Sequence, residues 1–194
     1  MRRITMAGLI ACCAVHAASS DYESARRKLN AIQERRAAPG SYVTFSKREI
    51  EAWARVEAPR EVGPGFREPQ AELGDNVATG RALLDFQKLR RASGAAPNWF
   101  IDKLISGERP VAATLEVRSA NGQATVYLRR LEISGVAATG RVLDFLISAF
   151  FMPLYPNAKI GEPFALEDDV ESITIRPTAI YVKIKPRRSG LPKR

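Results

Sequence analysis

Beyond residue 17 this chain has no cysteine and no histidine; Cys12, Cys13 and His16, the full complement of both types, lie in its first 17 residues. The body that follows therefore lacks a thiolate nucleophile, an imidazole acid or base, a disulfide and any His-based zinc site. These absences remove the commonest routes to hydrolytic and zinc catalysis. Other signatures are missing too. No GxxxxGK[ST] loop, GxGxxG turn or GxSxG elbow occurs, and Gly63-Pro64-Gly65 has no strand-to-helix context and reads as a turn. No catalytic residue, metal ligand or cofactor is expected.

The N-terminus supplies one explanation for the early cysteines. Arg2 and Arg3 precede an apolar run, Ile4 to Val15, and Val15-His16-Ala17 has the small-residue pattern of a cleavage site. That is the layout of a secretory signal, and the run is too short to span a bilayer. Leu9-Ile10-Ala11-Cys12 also fits a lipobox, so lipidation at Cys12 and retention as an uncleaved tether are alternatives. Soluble export after cleavage at Ala17, to a periplasm or exterior of a bacterial envelope, is the expectation carried forward.

Net positive charge is scarce in the body, where basic and acidic residues nearly balance. Of the formal net charge of +9, Arg2 and Arg3 contribute two and the acid-free segment from Lys183 onward contributes six, which leaves the middle near +1. Nucleic-acid-binding folds carry their charge as a patch interleaved with stacking aromatics, and this one does not; no nucleic-acid partner is expected. The tail, residues 185–194, reads as disordered and basic, suited to solubility or to weak contact with an anionic membrane at about 1 kcal/mol per basic residue. Acidic residues cluster once, in "EDDVE", with Glu167, Asp168, Asp169 and Glu171. They fall in one loop before a strand, which favours a solvated turn over a cation site or a hydrolase pair.

What the chain does have is pattern. Ser20 and Glu23 form a capping box ahead of a thinly apolar helix, expected as a lightly docked, solvent-facing arm. Tyr42 to Phe45 reads as a strand, and Ser46 with Glu49 starts a second helix near Lys47, stopped by Pro59; residues 60–69 read as loop. Ala78, Gly80, Ala82, Leu84 and Phe86 share one parity after a turn at Gly74-Asp75-Asn76. Asn121-Gly122 is a strong hairpin cue, since a type I′ turn needs positive φ at both central residues. Before it Val111, Ala113, Leu115 and Val117 alternate with polar residues. After it Ala124, Val126 and Leu128 alternate until Arg129-Arg130 switches the parity to Leu131 and Ile133, which predicts a bulge. A short amphipathic helix is expected across residues 96–107. A closing hairpin pairs Ile173 and Ile175 with Ile180, Val182 and Ile184. The order predicts an α+β fold with an antiparallel sheet of hairpins, and no βαβ alternation.

One segment asks for more than a surface helix. "RVLDFLISAFFMPLYP", residues 141–156, follows Gly140 and ends at Pro153 and Pro156. Val142, Phe145, Leu146, Ala149 and Phe150 make one apolar stripe; Leu143, Ile147, Phe151 and Leu154 extend it around a further arc. A surface helix needs one stripe of about 100°. Each large side chain left in water forgoes roughly 1.5–3 kcal/mol, so the second arc calls for another protein layer or an apolar ligand. The expected cavity is lined by Val142, Phe145, Leu146, Ile147, Ala149, Phe150, Phe151 and Leu154. An envelope adaptor that binds a partner protein through the same apolar surface is the alternative.

The order of motifs resembles the LmeA-like phospholipid-binding family. "VTFSKREIEAW" looks like its strand-to-helix entry, "NGQATVYLRRLEISGVAATGRVLDFL" like its hairpin returning into an apolar helix, and "DDVESITIRPTAIYVKI" like its closing hairpin. The resemblance runs loosely from Tyr42 to Ile184. It implies a tubular lipid-binding (TULIP-like) architecture: a strongly curved antiparallel sheet wrapped around an apolar helix, holding acyl chains, with no catalytic residues. The expected division is a signal at 1–17, a helical arm and linker at 18–40, one domain at 41–184 and the tail at 185–194.

Overall fold

The computed structural model describes residues 7–63, 65–88, 107–148 and 160–187. The described chain is α+β, with nine strands in two antiparallel sheets and few helices. The helix expected across 96–107 and the C-terminal half of the apolar helix lie outside the described residues.

Helix α1 (Ala7–Gln33) does not start at Ser20. It passes through that residue, so the Ser20/Glu23 pair caps nothing here. The alanine-rich run upstream propagates a helix at little cost, whereas a fresh start would require nucleation. Its second half is no solvated arm either. Ala25, 1 % exposed, and Ile32 enter a cluster with Phe45, Val170, Val182 and Ile184, and Leu29 packs against it. The small Ala25 allows close approach, which the width of an apolar stripe does not measure.

Strand β1 (Tyr42–Ser46) leads into helix α2 (Lys47–Val62), which starts where the sequence predicts. Ser46 Oγ accepts from the Glu49 N–H, and Glu49 Oε2 accepts from the Ser46 N–H at 2.8 Å. Pro59 does not end the helix. α2 continues to Val62, and Gly63 closes it by donating its N–H to the Pro59 carbonyl. A proline within the last turn sacrifices one hydrogen bond; Gly63, at φ 114°, takes a backbone conformation that side chains disfavour.

The three-stranded sheet has the order β1-β9-β8, with β8 (Val170–Arg176) and β9 (Ala179–Ile184) forming the predicted closing hairpin. The last strand is thus central, and β1 pairs with it, Val43 opposite Val182 and Phe45 opposite Ile180. α1 and α2 pack on this sheet, with Ile50 and Trp53 joining the cluster.

The second sheet holds β2 (Phe66–Leu73), β3 (Val77–Asp85), β4 (Glu108–Ala120), β5 (Gln123–Ile133) and β6 (Val136–Ala137) in sequence order, with β7 (Pro163–Ala165) also paired to β5. The segment read as loop to residue 69 is shorter than expected, because β2 begins at Phe66 and absorbs Glu68 and Pro69 in a register shift. Pro69 there has no ladder N–H to lose. At the tip of β4–β5, Asn121 (φ 54°) and Gly122 (φ 77°) take the left-handed conformations of a type I′ turn. A Cβ on Gly122 would stand 3.0 Å from Cε and Nζ of Lys185. The predicted bulge is present as well. Thr114 faces Arg130 and Leu115 faces Leu128, so Arg129 is the additional residue.

The two sheets meet where hairpin tips close the free edge of β8. Gly122 N–H donates to the Glu171 carbonyl at 2.7 Å, and Asn76 N–H donates to the Ile175 carbonyl at 3.0 Å. Between them a single hydroxyl serves Ile173 twice: Ser119 Oγ accepts from its N–H at 2.6 Å and donates to its carbonyl at 2.7 Å. An open strand edge is a site for unwanted pairing, and covering it is the usual remedy. Ser119→Ala leaves both Ile173 groups unpaired, at an expected cost of about 1–3 kcal/mol. Urea unfolding should register that loss, and Ser119→Thr, which keeps the hydroxyl, should recover most of it.

Candidate ligand-binding face

Strand register sorts the larger sheet into two unlike faces. In line across β3, β4 and β5 are Ala82, Val111 and Ile133; then Gly80, Ala113 and Leu131; then Ala78, Leu115 and Leu128. Val117 and Val126 continue the same face. Leu73 and Ala71 extend it onto β2, opposite Ala78 and Gly80. Alternation puts every second residue of a strand on one side, so the parities read from the sequence become one apolar surface.

That surface is incompletely covered. At one end Phe86, 3 % exposed, packs with Leu84, Val111, Leu131, Ile133 and Ala138. Over the rest, Ala78, Leu115, Val117, Val126 and Leu128 are half-buried, and Gly80 is exposed. A Cβ built on Gly80 meets nothing within 4 Å among the described residues, which leave open space above the middle of the apolar face.

The opposite face is charged, and its named charges are paired within it, two arginines sharing Glu116. Glu116 accepts from Arg118 Nε at 2.5 Å and Arg129 Nε at 2.6 Å. Both guanidinium groups lie over the Tyr127 ring, at 5.1 and 5.5 Å from its centroid. Hydrogen bonds from Arg118, then Arg129, hold the Glu116 carboxyl below the usual glutamate range. Arg81–Glu72 and Arg130–Glu132 pair in the same manner. Such pairs are solvated and individually contribute little.

Of the eight cavity residues expected from the sequence, Val142, Phe145 and Leu146 lie in helix α3 (Gly140–Leu146). Ile147 follows it, half-buried, while Asp144 is exposed. Ala149, Phe150, Phe151 and Leu154 lie outside the described residues. Sequence reading places the candidate site on the helix alone and does not name the apolar sheet residues, Gly80, Ala113, Leu115 and Val126 among them. The signal was available in the shared parity of β3, β4 and β5.

The acidic segment is a turn. Asp168 and Asp169 take φ of 53° and 60°, Asp169 lies 3.7 Å from Arg35, and Glu171 pairs with Lys183 at 3.0 Å. Among the described residues no group of three His, Cys, Asp or Glu side chains is placed to hold a metal ion, and no helix is long and apolar enough to cross a membrane. Comparison with protein-family models, curated proteins and solved structures finds no match.

Proposed function

We propose that the protein is an exported, non-enzymatic carrier or sensor of a lipid or similar apolar molecule, held between the apolar face of the larger sheet and the helix beginning at Gly140. The observation that carries this reading is the half-buried, uncharged face around Gly80, Ala113, Leu115 and Val126, over whose centre the described residues leave open space. A half-buried, uncharged face beside open space is the kind of surface that holds an apolar ligand. In the finer form of the proposal the sheet curves around the apolar helix, with the bulge at Arg129 contributing to the bend. The ligand then fills the gap that side chains leave. The resemblance of motif order to LmeA-like proteins supports the same reading.

The test is extraction of protein purified from its own host, followed by mass spectrometry of the extract. Recovery of stoichiometric lipid is expected; repeated recovery of ligand-free protein sinks the proposal. Gly80→Leu gives a sharper version. The added side chain enters open space in an ordinary strand conformation, so stability should change by less than about 1 kcal/mol, while lipid occupancy should fall several-fold. Unchanged occupancy in a folded Gly80→Leu protein would place the ligand elsewhere.

A further inference from the structure

We propose that Asn121-Gly122, at the tip of β4 and β5, is a site of spontaneous deamidation that is held off while the tip stays docked on β8. The chemistry needs only these two residues and water. The Gly122 nitrogen attacks Cγ of Asn121, the Cγ–Nδ2 bond breaks, and ammonia leaves with the proton that the Gly122 N–H gives up. Water then opens the cyclic imide at either carbonyl. One opening leaves aspartate; the other leaves isoaspartate, with the main chain routed through the side-chain carbon. Glycine permits the ring closure because no Cβ crowds the attacking nitrogen. Asn121 is exposed, so water reaches the reacting side chain.

Docking opposes the first step at the nucleophile itself. The attacking form is the deprotonated amide, and the buried Gly122 N–H is donated to the Glu171 carbonyl at 2.7 Å. The Gly122 carbonyl is held as well, by the Leu166 N–H at 2.8 Å. The Lys185 side chain lies against the turn, its Cε and Nζ 3.0 Å from where a Gly122 Cβ would stand. Asn121 and Gly122 are therefore fixed at φ 54° and 77° from both sheets. A group so held reacts only from a locally opened state, so the rate is the unstructured rate multiplied by the open fraction.

The two products differ in consequence. Aspartate at position 121 keeps the turn, since Asp-Gly suits the same type I′ geometry. Isoaspartate inserts an extra main-chain carbon into a two-residue loop whose length sets the register of the hairpin. That insertion displaces the Gly122 N–H from Glu171, next to the bonds that Ser119 makes to Ile173. The edge of β8 is then uncovered, and the change does not reverse.

The test incubates the full chain near neutral pH beside the synthetic peptide Ser119–Arg129, with deamidation followed by mass and isoaspartate by methyltransferase labelling. Hydrogen exchange of the Gly122 amide gives the open fraction independently. The native chain should react about tenfold or more slowly than the peptide, by the factor that exchange reports. Ser119→Ala, which loosens the docking, should react several-fold faster than the native chain, and Ser119→Thr close to it. Isoaspartyl protein should lose exchange protection at the Ile173 N–H, whereas fresh Asn121→Asp keeps it. A native chain that reacts as fast as the peptide overturns the proposal, as does a folded Ser119→Ala chain that reacts at the native rate. Isoaspartyl protein with Ile173 still protected overturns it too. Should Ser119→Ala fail to fold, agreement or disagreement between exchange and deamidation in the native chain decides.

Discussion

Lys28→Met is expected to destabilise the protein by about 3–5 kcal/mol, the range for removing one partner of a buried ion pair. Glu49 is 6 % exposed and would be a costly charge to bury alone. Burial by itself pushes its carboxyl up. Hydrogen bonds from Lys28 Nζ and Ser24 Oγ, each 2.6 Å, from the Ser46 N–H, and the Lys28 charge outweigh that and lower it to about 2. Lys28 also donates to the Thr44 carbonyl at 2.7 Å, on the outer edge of β1. The substitution therefore strips an acceptor on the strand and a counter-charge on the helix together. The double variant Lys28→Met/Glu49→Leu should regain part of the loss, because it leaves no buried charge unpaired, and the cycle of single and double variants measures the coupling.

The same group fixes an acid limit. A carboxyl lowered on folding stabilises the native state fully above its unfolded value, 4.5, and loses that contribution as pH falls through about 2. The lowering is worth roughly 3 kcal/mol at 1.36 kcal/mol per pH unit. Stability measured by urea unfolding should be level, as far as Glu49 is concerned, from neutral pH to about 5 and decline below that. In Lys28→Met the decline should be smaller, because its onset is set by the unfolded value while the folded value moves up towards it. An identical acid profile in the two proteins would show that Lys28 does not hold Glu49 ionised.

Phe45→Ala should cost a comparable amount, about 3–5 kcal/mol. Phe45 lies 7 % exposed in the cluster that joins α1 to the three-stranded sheet, with Ile180 directly across the strand pair and the Lys28 ammonium 5.7 Å from its ring centroid. Truncation removes apolar contacts and opens a cavity between elements that cannot close without moving α1. Thermal unfolding followed by near-ultraviolet dichroism tests this, since Trp53 packs against the same cluster. A loss below about 1 kcal/mol would mean that this cluster is not the stabilising core.

Short-range features were legible because their causes are short-range. Ser46 and Glu49 satisfy each other's backbone groups three residues apart, Asn121-Gly122 supplies two left-handed conformations in succession, and Arg129-Arg130 announces the bulge through a parity change. The pairing of β1 with β9 has no such cue, since nothing local in Tyr42–Ser46 names Ala179–Ile184 as its partner. The burial of α1 was missed because a small residue, Ala25, makes the close contact. Glu49 was read as a cap alone; Ser24 and Lys28, one helical turn apart on α1, were the sign of a second partner. For the candidate site, strand parity gave the apolar face, whereas the space over Gly80 depends on how the layers sit and has no signature in the sequence.

The central position of β9 has a consequence for how the protein is made. Neither β1 nor β8 pairs with the other in the three-stranded sheet; each is held by β9, which follows both in the sequence. Until Ala179–Ile184 leaves the ribosome, β1 and the apolar sides of α1 and α2 have no sheet to cover. Contacts spanning this much of a chain form late and leave apolar surface exposed meanwhile. A chain ending before residue 179 should therefore be a substrate for chaperones and proteases, with the hairpin of β4 and β5 as its most autonomous fragment. Resistance is expected once Ala179–Ile184 has paired with both neighbours, so quality control of this chain amounts to a check that β9 is in place.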